Sequence, residues 1–167
     1  MKKIFPILSL ILILIIMSLF ITASFLIVSN PYMTNDLKLK ESLFTLMETE
    51  EFSFNEQVPF EWEKMYSFAP GTSKEYIEKT IGISNSKIKD VPNNKDYVCY
   101  IFVDKGYITS YPCGKVQDIG YKFNIEMEND KHGVINYHDW TVFFAESGEG
   151  YINLTDIMLF VRKLNMA

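Results

Sequence analysis

The chain has 167 residues, of which 48% are hydrophobic and 22% are charged, and its formal net charge is −5 at pH 7. This acidic balance argues against a nucleic-acid-binding protein, because affinity for the phosphate backbone comes from Lys and Arg. It also argues against adhesion to anionic lipid through a basic patch.

An uninterrupted apolar segment covers residues 4–28, contains no charged residue and follows Lys2 and Lys3. A helix of about 20 apolar residues crosses the hydrocarbon core of a membrane, and only a helix satisfies its own backbone there in a single pass. We therefore interpret residues 1–29 as a signal-anchor whose transmembrane helix contacts the lipid bilayer through residues 4–28. The alternative is a cleaved signal peptide and a secreted protein, but the apolar core of a signal peptide usually has only about 7 to 15 residues.

The basic residues predict the orientation of this segment. Lys2 and Lys3 precede it, and the next basic residue is Lys38. The positive-inside rule then predicts a cytoplasmic N-terminus and an extracytoplasmic location for residues 30–167. Without Lys2 and Lys3 the 16 basic residues become 14, against 21 acidic residues, so this part has a net charge of −7. Its length suits one domain.

Residues 30–58 are predicted to form a polar exit from the membrane and an amphipathic helix. Asn35 or Asp36 caps this helix, which extends to about residue 50. Its apolar positions recur at helical spacing, at Leu39, Leu43, Leu46 and Met47. This helix is either a stalk or the first packed helix of the domain.

Residues 59–167 are predicted to form an extracytoplasmic α+β domain, in which an antiparallel sheet packs on one or two short helices. A helix is expected over residues 73–81, with Thr72 in a capping box and Gly82 at its end. Apolar and alternating patterns predict strands at residues 60–68, 97–103, 107–111, 121–127 and 137–145. The run at 97–103 is continuously apolar, which indicates a strand covered on both faces. Residues 155–165 fit a helix or an edge strand, and we favour the strand.

The two cysteines, Cys99 and Cys113, flank a predicted hairpin turn at residues 104–106. Outside the cytoplasm such a pair can form a disulfide, and the alternative is two buried, inert thiols. A three-residue loop would place the two directly opposite each other, whereas a two-residue loop would put them on opposite faces.

One segment of the domain carries a family resemblance. Residues 59–70 read PFEWEKMYSFAP and residues 72–77 read TSKEYI. This resembles an F-x-W-[D/E]-K-x-Y-x-F-x-P stretch followed by a T-x-x-E-x-I helix in small uncharacterised proteins of low-GC Gram-positive bacteria, which carry an N-terminal anchor or signal. The resemblance implies a single small domain in the cell envelope and implies no activity, so it assigns no functional residues.

Two histidines are the candidates for catalysis. His138 precedes Asp139 and could act as a general base, but adjacent residues on a strand point to opposite faces. His132 lies in a predicted acidic loop and could join a metal site with Glu126, Glu128 and Asp130, although such loops are usually only solvated. We therefore expect no enzyme activity, no cofactor and no metal.

The sequence thus favours a binding or interaction module whose partner is an envelope protein. Trp62 and Tyr66 are the candidate recognition surface, because aromatic residues dominate binding hot spots, and core packing is the alternative for both. Two other functions stay open. One is a small hydrolase or metal-assisted enzyme that uses His138, His132 and nearby carboxylates, and the other is a structural protein that acts through its transmembrane helix.

Overall fold

A computed structural model of the chain describes residues 11–20, 32–46, 51–84, 86–139 and 141–157. Residues 11–20 form a helix, α1, and most of the predicted membrane segment lies outside the described residues. Within those ranges, we find no helix with the length and apolar character needed to cross a membrane.

The domain that follows combines short helices with nine strands in its described part. Its helices are α2 (Met33–Phe44), α3 (Phe54–Gln57), α4 (Lys74–Ile81) and α5 (Val116–Ile119), with a 3-10 helix at Tyr137–Asp139. Its strands are β1 (Glu51–Ser53), β2 (Lys64–Phe68), β3 (Tyr97–Asp104), β4 (Tyr107–Ser110), β5 (Cys113–Lys115), β6 (Tyr121–Asn124), β7 (His132–Asn136), β8 (Val142–Ser147) and β9 (Ile152–Asp156).

The strands form two sheets, whereas the sequence pattern predicted one. Sheet I has the order β4-β3-β2-β7, with β5 also paired to β3, and all its pairs are antiparallel. Sheet II has the order β1-β8-β9-β6, and its β6–β9 pair is parallel. The α+β class is confirmed. The second sheet was missed because two of its three strand pairs, β1–β8 and β6–β9, join segments that are far apart in the chain and leave no local turn signal.

The layers stack as sheet II, then sheet I, then α4 with the loop that follows it. Between the sheets lies a cluster of buried side chains that includes Met65, Phe102, Phe123 and Phe143. A second cluster fills the other face of sheet I, where residues of β2 and β3 pack against Ile77 and Ile81 of α4. Sheet I is therefore buried on both faces, which confirms the prediction for β3.

Helix α2 packs into the core between the sheets through Leu39 and Leu43, both 0% exposed. It is thus a packed helix of the domain and not a separate stalk. It begins at Met33, so Asp36 lies inside the helix and does not cap it. It ends at Phe44, and the predicted extension past Leu46 lies outside the described residues.

Helix α4 agrees with the sequence to within one residue. Its N-cap is Ser73, whose hydroxyl accepts a hydrogen bond from the Tyr76 N–H, and not Thr72, whose hydroxyl donates to the Ala69 carbonyl. It ends at Gly82, which has φ +73°, a left-handed conformation that only glycine adopts without strain.

Three other predicted element boundaries were wrong. Strand β2 begins at Lys64 and not at residue 60, because the alternation of the preceding residues is not matched by strand pairing. Residues 137–139 form a 3-10 helix before β8, and His132 begins β7 where a loop was expected. Strand β9 lies between β8 and β6 and includes the first two residues of the segment 155–165, and because residues 158–167 lie outside the described residues, the edge strand expected there stays a prediction.

Candidate functional site

Cys99 and Cys113 form a disulfide between directly opposed residues of β3 and β5. The turn from β3 to β4 has two residues, Lys105 and Gly106, which by itself would place the cysteines on opposite faces. A bulge at Thr109 adds one residue to β4, since Val103 pairs with Ile108 and the next pair joins residues 102 and 110. This one-residue shift brings the two cysteines onto the same face.

Trp62 and Tyr66, the candidate recognition surface, are 4% and 7% exposed. Trp62 belongs to the cluster between the two sheets, with its ring 5.2 Å from that of Phe54. Tyr66 belongs to the cluster on the other face of sheet I. Burial on opposite sides of one sheet leaves these two side chains without a common exposed surface.

His132 is buried and connects α4 to the loop before β7. Its Nδ1 lies 3.1 Å from the Tyr76 hydroxyl, and its Nε2 lies 3.2 Å from a carboxylate oxygen of Glu128. The Asn129 side chain donates to the same Tyr76 hydroxyl at 3.1 Å, and the His132 ring stacks on Phe68. These contacts hold residues 128–132 against α4.

The two histidines lie at opposite ends of β7 and do not form one site. His138 lies in the exposed 3-10 helix that follows the strand, whereas His132 is the first residue of the strand. At about 3.3 Å per residue, β7 spans about 13 Å from His132 to Asn136, and His138 follows that far end of the strand. Across the described ranges, no group of three or more His, Cys, Asp or Glu side chains is arranged to hold a metal ion.

A cleft of about 280 Å³ opens between α2 and α5, and we call it the α2–α5 cleft. Four elements contribute to it: α2, the link from β4 into β5, α5 and the start of β6. Its lining residues are Met33, Asp36, Leu37, Lys40, Tyr111, Pro112, Cys113, Asp118, Ile119 and Tyr121. Cys113 is the disulfide residue, so the cross-link between β3 and β5 forms part of the wall.

Asp36 is the half-buried carboxylate of this cleft. One of its oxygens, Oδ1, accepts hydrogen bonds from the Ser110 hydroxyl at 2.5 Å and from the Tyr111 N–H at 2.9 Å. Oδ2 takes part in neither bond. Burial raises the pKa of Asp36 above its ordinary value, and the bonds from Ser110 and Tyr111 oppose that shift.

Lys40 lies one helical turn after Asp36, the spacing at which a Lys commonly pairs with an acidic side chain. Here its Nζ instead donates to the Asp118 carbonyl oxygen at 2.9 Å and lies 5.7 Å from the centre of the Phe44 ring. The salt bridges formed by the described residues do not include Asp36. The Asp36 carboxylate therefore has no cationic partner in the described part of the chain.

Tyr121 supplies a second polar group without a partner. Its side chain is 1% exposed, and its hydroxyl makes no hydrogen bond with any described residue. Burial raises the pKa of Tyr121 well above its ordinary value, and the nearby charge of Asp36 raises it further. A buried hydroxyl usually finds a partner, so an unsatisfied one beside a cleft indicates a position that a ligand can complete.

Two other clefts, of about 380 and 350 Å³, lack this combination of groups. The acidic side chain that lines the first, Glu146, is exposed, and no acidic residue lines the second. Sequence reasoning assigned Asp36 to a helix cap and gave no role to Tyr121. The one available signal was a carboxylate at helical spacing from Leu39 and Leu43, which is compatible with a position on the packed face of α2.

The arrangement can bind a ligand that brings hydrogen-bond donors or positive charge to Asp36. Among the described residues of this region, the cysteine in the wall is held in a disulfide, and Ser110, whose hydroxyl donates to Asp36, is 0% exposed. Comparisons of the chain with known protein families, with curated proteins and with solved structures gave no match.

Proposed function

We propose that this chain is a membrane-anchored binding module of a bacterial cell envelope, and that the α2–α5 cleft is its binding site. In this proposal residues 4–28 span the bilayer and the α+β domain lies outside the cytoplasm. The observation that carries it is the half-buried Asp36 carboxylate, which lines an open cleft without a cationic partner in the described residues. An unpaired charge removed from water costs free energy, and such groups cluster at functional sites.

The position of the cleft along the chain supports this proposal. Asp36 follows the last residue of the apolar segment, Val28, by eight residues, which span at most about 28 Å when fully extended. The anchor would therefore keep the cleft near the membrane surface, where the partner of an envelope protein is found.

The disulfide supports the predicted side of the membrane. Disulfides persist in oxidising compartments and are rare in the cytosol. Cys99 and Cys113 are bonded, and they lie in the part of the chain that the positive-inside rule places outside. The resemblance of residues 59–77 to small envelope proteins of Gram-positive bacteria supports the same compartment.

The location is tested by expressing the full chain in a Gram-positive host and treating intact, wall-less cells with protease. We expect the protein in the membrane fraction and the domain to be degraded from outside. A protein that is protected from protease, or that remains soluble after fractionation, would contradict the proposal.

The binding site is tested by placing a photo-crosslinking amino acid at Leu37, which lines the cleft and is 50% exposed. The matched control carries it at Tyr107, the first residue of β4, which is 75% exposed. We expect a discrete adduct from position 37 and none from position 107. Equal labelling from both positions, or none from position 37, would count against the cleft.

An exchange of residues 4–28 for an unrelated anchor separates this function from that of a structural protein that acts through its transmembrane helix. We expect the adduct at position 37 to persist after the exchange. Its loss would favour the structural alternative, because the described domain is unchanged. The alternative of a hydrolase that uses His132 gains support only if the wild type hydrolyses a substrate, His132→Gln abolishes that hydrolysis and Asp36→Asn does not.

A further inference from the structure

We propose that the α2–α5 cleft binds a primary ammonium or guanidinium group, with the Asp36 carboxylate as its counter-ion and the Tyr121 hydroxyl as an additional hydrogen-bond partner. This inference rests on the function proposed above and specifies the chemistry of its ligand. A free amine and a basic side chain of a protein partner offer the same group, and the experiment below distinguishes them.

The first support is the state of the carboxylate. Asp36 is partly removed from water, and the neutral donors of Ser110 and Tyr111 both bind one of its two oxygens. Two neutral hydrogen bonds do not balance the charge of a desolvated carboxylate, whereas an N–H cation balances it and binds the second oxygen in the same contact.

The second support is that no residue in the described part of the chain supplies this cation. The ammonium group of Lys40 is within one turn of Asp36 but is held by the Asp118 carbonyl oxygen at 2.9 Å. An intrahelical pair would neutralise Asp36 and close the site. Its absence leaves a carboxylate that faces a cleft of about 280 Å³, close to the lower limit for a small-ligand pocket and large enough for one basic side chain.

The third support is the aromatic character of the wall. Tyr111 and Tyr121 both line the cleft, and the ring of Tyr32 packs edge-on against that of Tyr111 with centroids 6.2 Å apart. Aromatic walls attract cations through the ring quadrupole, and guanidinium groups are the more frequent partners. The Tyr121 hydroxyl can accept one N–H from the same group, which would satisfy its unpaired oxygen.

The test measures binding to the full chain in detergent micelles by calorimetry. The probes are agmatine, a capped arginine tripeptide and the same tripeptide with neutral citrulline in place of arginine. We expect at least one of the two charged probes to bind, and the citrulline peptide to bind at least about tenfold more weakly, the scale of one charge-assisted contact. Binding of agmatine alone indicates a free amine, binding of the arginine peptide indicates a side chain of a partner, and failure of both overturns the inference.

Substitutions then assign the binding to the two residues. Asp36→Asn keeps an acceptor for Ser110 and Tyr111 but removes the charge, and we expect it to weaken binding about tenfold or more. The matched control is Asp96→Asn, the same chemical change at an exposed position outside the cleft, so binding should change less than about threefold. Equal effects of these two substitutions would overturn the assignment.

Tyr121→Phe keeps the inference falsifiable if Asp36→Asn does not fold. It removes only an unsatisfied hydroxyl, so the free energy of unfolding should stay the same or rise while binding weakens severalfold. A structural role of the hydroxyl would instead lower stability and leave binding unchanged. An adduct at position 37 that persists in Asp36→Asn with unchanged yield would overturn the cationic ligand while leaving the cleft itself as the binding site.

Discussion

Asp36 connects two distant segments of the fold and also lines the α2–α5 cleft. Its Oδ1 atom connects α2 to residues 110 and 111, which follow it by 74 and 75 positions in the chain. Hydrogen bonds to a charged acceptor contribute about 1.5–3 kcal/mol each, more than bonds between neutral groups. Burial strengthens these bonds but also raises the free energy of the charged carboxylate in the folded state. Asp36 therefore stabilises the contact between α2 and residues 110 and 111 less than the two bonds alone would.

Stability should therefore depend on pH through Asp36. Burial raises the pKa of Asp36 in the folded protein above its ordinary value of 3.8, so the folded state holds the proton more tightly than the unfolded state. The contribution of Asp36 is then fully present below its ordinary pKa and is lost as the pH rises through the raised pKa. In Asp36→Asn this loss is absent, so the free energy of unfolding of the wild type relative to the variant should fall with rising pH.

The comparison requires chemical unfolding of both proteins between about pH 3 and pH 7, the range in which carboxylates titrate. Glu78 has its pKa lowered, chiefly by the hydrogen bond from the Ser86 hydroxyl, and acts in the opposite direction, but it is present in both proteins and cancels. A difference that is constant or rises with pH would contradict the prediction. The other titratable side chains around the cleft are Tyr32, Lys40, Tyr111, Asp118 and Tyr121.

Gly133 occupies a position in β7 where any side chain collides with the backbone. A Cβ atom there would overlap the carbonyl oxygen of Glu126 and would lie 2.8 Å from Cδ1 of Ile125. We expect Gly133→Ala to lower the free energy of unfolding by about 2 kcal/mol, the usual cost of overpacking. The shift should also break the contact between Glu128 and His132, because the loop that carries Glu128 must move.

Gly114→Ala is the matched control, since Gly114 also lies in a strand but a Cβ atom added there overlaps no other atom. Its Cβ would meet the Ile119 side chain at 3.5 Å, an ordinary van der Waals distance. We expect a change within about 0.5 kcal/mol, measured by the same unfolding experiment. Similar losses for the two variants would mean that backbone flexibility, and not steric overlap, decides the effect.

At the scale of elements, β3, β4 and β5 form a ribbon whose register is set by two local features. Lys105 and Gly106 form the tight turn with φ +48° and +79°, and the bulge at Thr109 shifts the pairing by one residue. A side chain of α2 also fixes the bulge, because Asn35 donates to the Thr109 carbonyl oxygen at 2.8 Å. The wall of the α2–α5 cleft is thus held by the helix that forms its opposite side.

The disulfide should contribute strongly to the stability of this ribbon. Cys99 and Cys113 are separated by 14 positions, and a loop of that length corresponds to about 3 kcal/mol of lost chain entropy in the unfolded state. Replacing both residues with Ala should lower the free energy of unfolding by about 2–4 kcal/mol. Reduction of the wild type should have a similar effect, and a loss below about 1 kcal/mol in both experiments would contradict this.

The elements that the sequence predicted well are those defined by contiguous residues. Gly82 and the Ser73 region identify α4, because caps and helix ends are local signals. The apolar run in β3 identifies a strand covered on both faces, because both faces of sheet I are packed. Parallel pairing of β6 with β9 was not predictable in this way, since strands β7 and β8 intervene between them.

The candidate site escaped sequence analysis for the same reason. Trp62 and Tyr66 looked like one aromatic face only if residues 60–68 formed one continuous strand, and the strand begins at Lys64. The cleft instead combines Asp36 and Tyr121, which come from distant segments and meet only through the packing of α2 on the sheets. Such a site exists only in the folded structure. Its residues form no motif that stands out along the chain.

At the scale of the molecule, the domain places its most protected layer in the centre. Sheet I is covered by sheet II on one face and by α4 on the other, so neither face is free to bind a partner. The α2–α5 cleft, the proposed binding site, lies instead at the periphery, on the helix of the domain nearest in sequence to the apolar segment. In the proposed topology, a partner bound there would meet the end of the domain closest to the membrane first.

The proposed orientation of the chain can be tested by whether its two cysteines are bonded or free. Replacing Lys2 and Lys3 with Glu, together with Asn30→Lys and Thr34→Lys, moves the positive charge to the other end of the apolar segment and should invert the protein. The domain would then lie in the reducing cytosol, and Cys99 and Cys113 should react with an alkylating reagent when the cells are lysed into denaturant, which exposes the buried Cys99 thiol, whereas the bonded wild type should stay unmodified. Replacing Lys2 and Lys3 with Arg is the control, which keeps the charge and should keep the disulfide. Free thiols in the wild type, or a persistent disulfide in a variant shown by protease to be inverted, would mean that compartment does not determine the bond.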